Sequence, residues 1–174
     1  MREWVTEAIV VDKEPIGEAD ARVALYTERF GMVVARATSA RKITSKLAAH
    51  LEPARRVAVR LVERRNSGNS GFAFHVTDAI TVSRLPLTRN HLRLLRMLAP
   101  RGEADPGLFG LVMSGTVSVY SLIAAFGFDY RFASCETCGK RPVERFSMDG
   151  GFFLCAVCAE GAASGSFITL AKQV

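Results

Sequence analysis

Two Cys-x-x-Cys pairs, Cys135-Glu-Thr-Cys138 and Cys155-Ala-Val-Cys158, constrain this chain more than any other feature. Sixteen residues separate the pairs, and the 174-residue sequence holds no other cysteine. Each short turn can present two thiolates to one tetrahedral ion. Between them, residues 143–154 set an apolar run on either side of Asp149-Gly150-Gly151, a turn that accepts the positive φ of a tight hairpin. Such a hairpin brings the two pairs face to face, and the spacing falls in the window of zinc sites built from paired turns.

Two other readings compete. Disulfides need an oxidising compartment, and Met1-Arg2-Glu3-Trp4 leads straight into an alternating run rather than a secretory signal. A redox dithiol explains one Cys-x-x-Cys and leaves the matched second pair without a role. The expectation is one structural Zn²⁺ held by Cys135, Cys138, Cys155 and Cys158, with no open position for catalysis. Folding of residues 135–158 should then depend on the metal.

Ahead of this module the hydrophobic pattern has period two. Residues 5–12 read as a strand with Val5, Ile9 and Val11 on one face. Residues 21–27 alternate with Val23 and Leu25 on one side and Arg22 and Tyr26 on the other; a third strand covers 32–38. One helical turn is expected at 47–51, before Pro53. A fourth strand follows over 54–65, with Val57, Val59 and Leu61 inward. After the polar 66–71 loop comes the cleanest alternation, Phe72, Phe74, Val76, Ile80 and Val82. Five short antiparallel strands favour a closed barrel, since closure removes sheet edges, and a five-stranded Greek-key barrel of the OB type is the economical choice.

Then the period changes. Thr88 is a candidate N-cap and Pro100-Arg101-Gly102 a stop, enclosing a helix with Leu92, Leu95 and Leu98 on one face and Arg89, Arg93 and Arg96 on another. Residues 107–128 carry no charge and are long enough to span a membrane. Interior glycines and serines, and acidic rather than basic flanks at Asp105 and Asp129, favour a buried core helix or two helices broken at Gly115. The final stretch from Ala159, rich in Gly, Ala and Ser, reads as a frayed tail. The chain is thus expected to be α+β, with a barrel over 1–84 and a helical region over 85–174 that contains the zinc module.

The formal net charge is +6, which a Cys₄ zinc site would lower to about +4. Its distribution says more. Nine basic residues lie between Arg36 and Arg65, opposed only by Glu52 and Glu63. On a barrel, this band could form the footprint of nucleic-acid binding, with a solvated face as the alternative. Aromatics are scarce there; Trp4, Tyr26 and Phe30 are as well placed for a core as for stacking, so contacts to phosphates should lead. No Walker loop, His-Glu-x-x-His or deaminase signature occurs, and His50, His75 and His91 are scattered, so no catalytic residue is assigned. Glu18 and Asp20 are weak candidates for a divalent ion.

Taken in order, these pieces resemble the RecO family of bacterial recombination mediators. The resemblance runs through Thr6-Glu-Ala-Ile-Val-Val11, Gly17-Glu-Ala-Asp20, Leu25-Tyr-Thr-Glu-Arg-Phe-Gly31, Ala40-Arg41 and Ser45-Lys-Leu-Ala-Ala-His-Leu-Glu-Pro53. It continues through Leu122, Gly127-Phe128, Cys135-Glu-Thr-Cys138-Gly-Lys140, Phe146-Ser147, Gly150-Gly151 and Cys155-Ala-Val-Cys158. It implies an N-terminal OB fold, structural zinc and a cytoplasmic, nucleoid-associated repair role without catalysis. It further implies binding of single- and double-stranded DNA, strand annealing, and loading of RecA with RecR. Phosphate contacts are expected from Arg36, Arg41, Lys42, Lys46, Arg55, Arg56 and Arg60. Compared with the family pattern, residues 86–128 are compressed and little follows the zinc module. The resemblance implies RecR as the protein partner, and single-strand-binding protein as a partner if the short helical region keeps its seat. An RNA-binding protein of OB and zinc-ribbon type, or a protein-interaction scaffold, is the alternative.

Overall fold

Alternation along the first 84 residues closes into a ring. The computed structural model describes residues 2–63, 73–162 and 167–170. Its first strands are β1 (Arg2–Ile16), β2 (Asp20–Thr27), β3 (Gly31–Ala37), β4 (Arg55–Glu63) and β5 (Phe74–Arg84), joined as a closed barrel in the order β1-β2-β3-β5-β4. Every pairing is antiparallel except β3 with β5. One parallel closure in a five-stranded Greek-key barrel is the OB-type architecture that the strand count favoured. The expected strand residues 64 and 65, the 66–71 loop and Phe72 lie outside the described residues.

Small and branched side chains fill the interior: Ala8, Val10, Val23, Leu25, Ala35, Val57, Val59, Leu61 and Val76, all 5% exposed or less. Each fully buried Val or Leu contributes roughly 1.5–3 kcal/mol against an exposed one. On β1 the interior residues are Ala8 and Val10, and the face that carries Val5, Ile9 and Val11 is the outer one; Val5 is 67% exposed. Ile9 and Val11 are buried on the outer face, and with both faces covered the alternation no longer marks the inside. On β5 the register skips Thr77, because Leu61 faces Val76 while Arg60 faces Asp78. That bulge reverses the phase, so Ala79 points inward and Ile80 and Val82 are exposed.

The expected turn at 47–51 is closed by the Leu51 N–H on the Leu47 carbonyl at 3.1 Å, and Leu51 is fully buried in the barrel core. Beyond β5 come α1 (Arg89–Leu98) and α2 (Pro106–Met113). Thr88 caps α1 in a reciprocal box with His91. The buried residues of α1 are His91, Leu94 and Leu95, so the expected Leu92/Leu95/Leu98 face is not the buried one: Leu95 is inside and Leu92 turns toward the arginines. Tyr26, on the outer face of β2, is buried against Phe109 of α2, ring centroids 5.9 Å apart. It is therefore unavailable for stacking.

Chain contacts divide the molecule into Met1–Thr116 and Val117–Val174. The uncharged 107–128 stretch is broken near Gly115, whose φ is +71°, into α2 and α3 (Val119–Ala125). Among the described residues, no helix is long and apolar enough to cross a membrane. The second unit continues with β6 (Arg145–Ser147), β7 (Phe152–Leu154), α4 (Ala156–Glu160) and β8 (Phe167–Thr169). Where a frayed tail is expected, residues 167–170 are ordered against the module. β8 pairs with β6 to make a third strand, and Ile168 and Leu170 are 1% and 6% exposed. An isolated two-stranded hairpin is marginal, and this strand extends it to three at the β6 edge. Residues 163–166 and 171–174 of that tail lie outside the described residues.

Candidate nucleic-acid interface and metal centre

The basic residues divide into a rim and a wall. The rim is the 38–54 connection between β3 and β4, which starts at Ser39 with a φ of +55°. Asp20 fixes that start: its Oδ1 accepts the Ser39 N–H at 2.7 Å, and its Oδ2 accepts Arg36 Nε and Nη2 at 2.8 and 2.5 Å. The Ser39 N–H and the Arg36 guanidinium hold the Asp20 carboxyl below its usual range. Asp20 is thus a latch for the loop rather than a divalent-ion ligand. Arg41 Nη1 donates to the Gly17 carbonyl at 2.9 Å and lies 3.3 Å from that of Glu18, so it stays exposed but oriented. Lys42, Ile43 and Lys46 are exposed, Ile43 completely. Arg55 joins this rim, its Nη1 3.3 Å from Thr81 Oγ1, the hydroxyl that also meets His50 Nδ1 at 3.0 Å.

Arg56 and Arg60 lie instead on the outer wall of β4, opposite acidic residues of β1. Arg56 Nη2 sits 2.8 Å from both Glu7 carboxylate oxygens, and Arg60 Nη1 lies 2.6 Å from Glu3 Oε1. Arg36, Arg56 and Arg60 are therefore paired within the barrel, while Arg41, Lys42 and Lys46 make no ion pair among the described residues. The sequence by itself shows no sign of these pairings, because Glu3, Glu7 and Asp20 are far from their partners along the chain. It also shows no sign that Arg29 stacks on Trp4, 4.1 Å from the ring centroid, beside Phe30 and Phe74. That aromatic group packs half-buried against the core.

In the second unit, the expected hairpin brings the two cysteine pairs together. β6 and β7 pair through Phe146 and Phe153, with Gly151 at a φ of +65° donating its N–H to the Ser147 carbonyl at 2.9 Å. Phe146 is fully buried between Phe128 and Phe153, at 5.1 and 5.0 Å. At the first turn, the Gly139 N–H returns to the Cys135 carbonyl at 2.8 Å, with a φ of +69°. The Glu136 N–H ties that turn to the Phe153 carbonyl at 2.9 Å. Cys155 is the N-cap residue of α4, which places Cys158 one turn along the helix.

The four Sγ atoms lie within 4.8 Å of one another, with Cys138 and Cys155 3.7 Å apart. A tetrahedron with Zn–S bonds of about 2.3 Å has edges of about 3.8 Å, so the four thiols fit such an ion. Backbone N–H groups, that of Cys155 foremost, then those of Cys138 and Thr137, pull the Cys135 thiol down to about 6. Bonds to the sulfurs of Cys138, Cys155 and Cys135 push Cys158 up to about 12. Four sulfurs so close cannot all ionise without a cation among them. A metal ion would resolve that conflict, and four soft donors would leave it no site for substrate.

The family model for the recombination protein O N-terminal domain matches residues 1–73. The DNA repair protein RecO of Myxococcus xanthus (strain DK1622) is 31% identical over 179 residues, covering 91% of this chain and 73% of that protein. The DNA repair proteins RecO of Dehalococcoides mccartyi (strain ATCC BAA-2100 / JCM 16839 / KCTC 5957 / BAV1) and Thermodesulfovibrio yellowstonii (strain ATCC 51303 / DSM 11347 / YP87) are each 27% identical, covering 90% of this chain and 70% of theirs. Coverage of this extent reaches past Thr116 into the second unit. By its OB-type barrel, its four-cysteine module and this similarity along most of its length, the chain belongs to the RecO family of DNA repair proteins.

Proposed function

We propose that this chain is a non-enzymatic DNA-binding protein of recombinational repair. It would bind single- and double-stranded DNA through its barrel, residues 1–84, promote annealing of complementary strands, and load RecA together with RecR. The observation that carries this reading is the 39–46 segment. Three cations, Arg41, Lys42 and Lys46, stand there on an OB-type barrel without ion pairs among the described residues, latched in place by Asp20. Phosphate oxygens are the natural partners for such unpaired cations. Arg55 extends the rim. Arg36, Arg56 and Arg60 would contribute only by exchanging Asp20, Glu7 and Glu3 for phosphates, a more costly contact.

The four-cysteine module, within residues 85–174, would hold one structural Zn²⁺ and shape the surface offered to RecR. The RecO names of the relatives support a site of action on the bacterial nucleoid, in the cytoplasm. Charge reversal separates rim from wall: Arg41→Glu/Lys42→Glu/Lys46→Glu should cost at least tenfold in affinity for labelled single-stranded DNA. Arg56→Ala/Arg60→Ala should cost threefold or less. Equal losses from the two variants, or none from the first, would refute the assignment.

A further inference from the structure

Helix α1 crosses the outer face of β1 and encloses with it a groove of about 310 Å³, lined by Asp12, Pro53, Leu92, Arg89, Arg93 and Arg96 among others. The three arginines stand at i, i+4 and i+7, on one face of the helix over about 10 Å of its axis. They are not equivalent. Arg96 is held by Asp12 and by Glu14, whose Oε1 lies 2.7 Å from its Nη2. Asp12 reaches the groove because the β1–β2 register skips Val11. Arg89 and Arg93 make no ion pair among the described residues. Arg89 also occupies the first turn of α1, which carries no acidic residue and where the helix dipole opposes a cation. An anion in the groove would be favoured by both guanidinium groups and by that dipole.

Position along the chain points to which anion. Pro53, in the groove, closes the connection that carries Arg41, Lys42 and Lys46. The next residues of β1, Lys13 to Pro15, line a second cavity of about 470 Å³ together with Arg41 and Glu52. The two cavities are lined by consecutive residues, 12 and 13 on β1 and 52 and 53 on the connection, and the Arg96–Glu14 ion pair joins a residue of one lining to a residue of the other. We infer that a nucleic-acid backbone engaged at the 39–46 rim continues across this groove, where Arg89 and Arg93 bind its phosphodiesters. Leu92 and Pro53 give the sugars an apolar floor. The inference rests on the DNA-binding reading above and extends it from the barrel to the first helix.

The test compares three forms of the zinc-loaded full chain: wild type, Arg89→Ala/Arg93→Ala, and Arg41→Ala/Lys42→Ala/Lys46→Ala. Each is titrated with labelled oligothymidylate across a range of salt. Alanine is a better helix former than arginine, so the groove variant should stay folded, which a thermal melt checks. Its log affinity against log salt should flatten by about 1.4, at about 0.7 for each lost single-strand phosphate contact. Arg89→Lys/Arg93→Lys should restore the slope. A groove variant that matches wild type while the rim variant weakens would overturn the inference and leave the DNA-binding reading standing. Weak, salt-insensitive binding by wild type would overturn both. Loss of binding to a labelled polyglutamate peptide, with DNA binding intact, would assign the groove to an acidic protein segment and also overturn it.

Discussion

The Asp20 carboxylate takes the Ser39 backbone N–H at 2.7 Å, and that bond fixes where the basic rim leaves the barrel. The same side chain holds Arg36, so one carboxylate links β2, β3 and the loop. Asp20→Ala would remove a negative charge beside Lys42, and charge counting alone predicts tighter DNA binding. The latch predicts the reverse: affinity should weaken roughly 3- to 10-fold, equivalent to about 1 kcal/mol. The acid limb of stability follows the same group. Its folded value lies below the ordinary 3.8, so its contribution is complete above that value and is lost as pH falls through the lowered one. Asp20→Asn should flatten this limb in urea melts across the acid range.

Gly31 begins β3 with a φ of +59°, and a Cβ placed there would lie 2.0 Å from the Glu103 carbonyl oxygen. The loop after α1 is bonded to this point, the Met32 N–H to the Pro100 carbonyl at 2.9 Å and the Gly102 N–H to the Met32 carbonyl at 3.3 Å. Gly31→Ala combines backbone strain with a clash against main chain, and should cost about 2–4 kcal/mol in denaturant melts. Gly17 also has a positive φ, +54°, but meets nothing within 4 Å, so Gly17→Ala should cost about 1 kcal/mol. Equal costs would show that the packing of the 99–103 loop on β3 is wrong.

His91 is buried, and its Nδ1 accepts the Thr88 N–H at 3.0 Å, which requires the neutral ring. Burial lowers its value below the ordinary 6.5. The unfolded chain thus binds this proton first, so stability should fall as pH drops below about 6.5 and level off below the folded value. Glutamine can close the same capping box without titrating. His91→Gln should abolish this component when melts at pH 5 and 7.5 are compared; an unchanged pH dependence would contradict the neutral-ring geometry.

The cysteine cluster predicts one zinc ion per chain by elemental analysis. Titration of the thiols with a mercurial, or Cys138→Ser/Cys155→Ser, should release that ion to a chromogenic chelator. Far-UV ellipticity from β6, β7 and α4 should be lost with it. A fully folded, metal-free wild type with four reactive thiols would contradict the site.

Local patterns made much of this legible, and long-range pairing accounts for what they missed. The cysteine spacing and the Asp149-Gly150-Gly151 turn are local signals, and the hairpin follows them. Thr88, Gly115 and the five alternating runs likewise mark elements that form where expected. Which face of β1 is inside, and the change of phase along β5, are not legible locally because the outer cover at Ile9 and the bulge at Thr77 depend on neighbouring elements. β8 was missed because three residues, Phe167-Ile168-Thr169, make a strand only when β6 offers an edge. The band between Arg36 and Arg65 looked continuous for the same reason: along the sequence, nothing places Glu7 beside Arg56 or Glu3 beside Arg60.

The most direct test of the account is a salt titration of binding between the zinc-loaded chain and labelled single-stranded DNA, read by fluorescence anisotropy. The rim and groove predict a linear fall of log affinity with log salt, at about 0.7 for each neutralised phosphate, steep enough to report several contacts. Weak binding that does not respond to salt would mean that Arg41, Lys42, Lys46, Arg89 and Arg93 are only solvated surface, and would contradict the central claim.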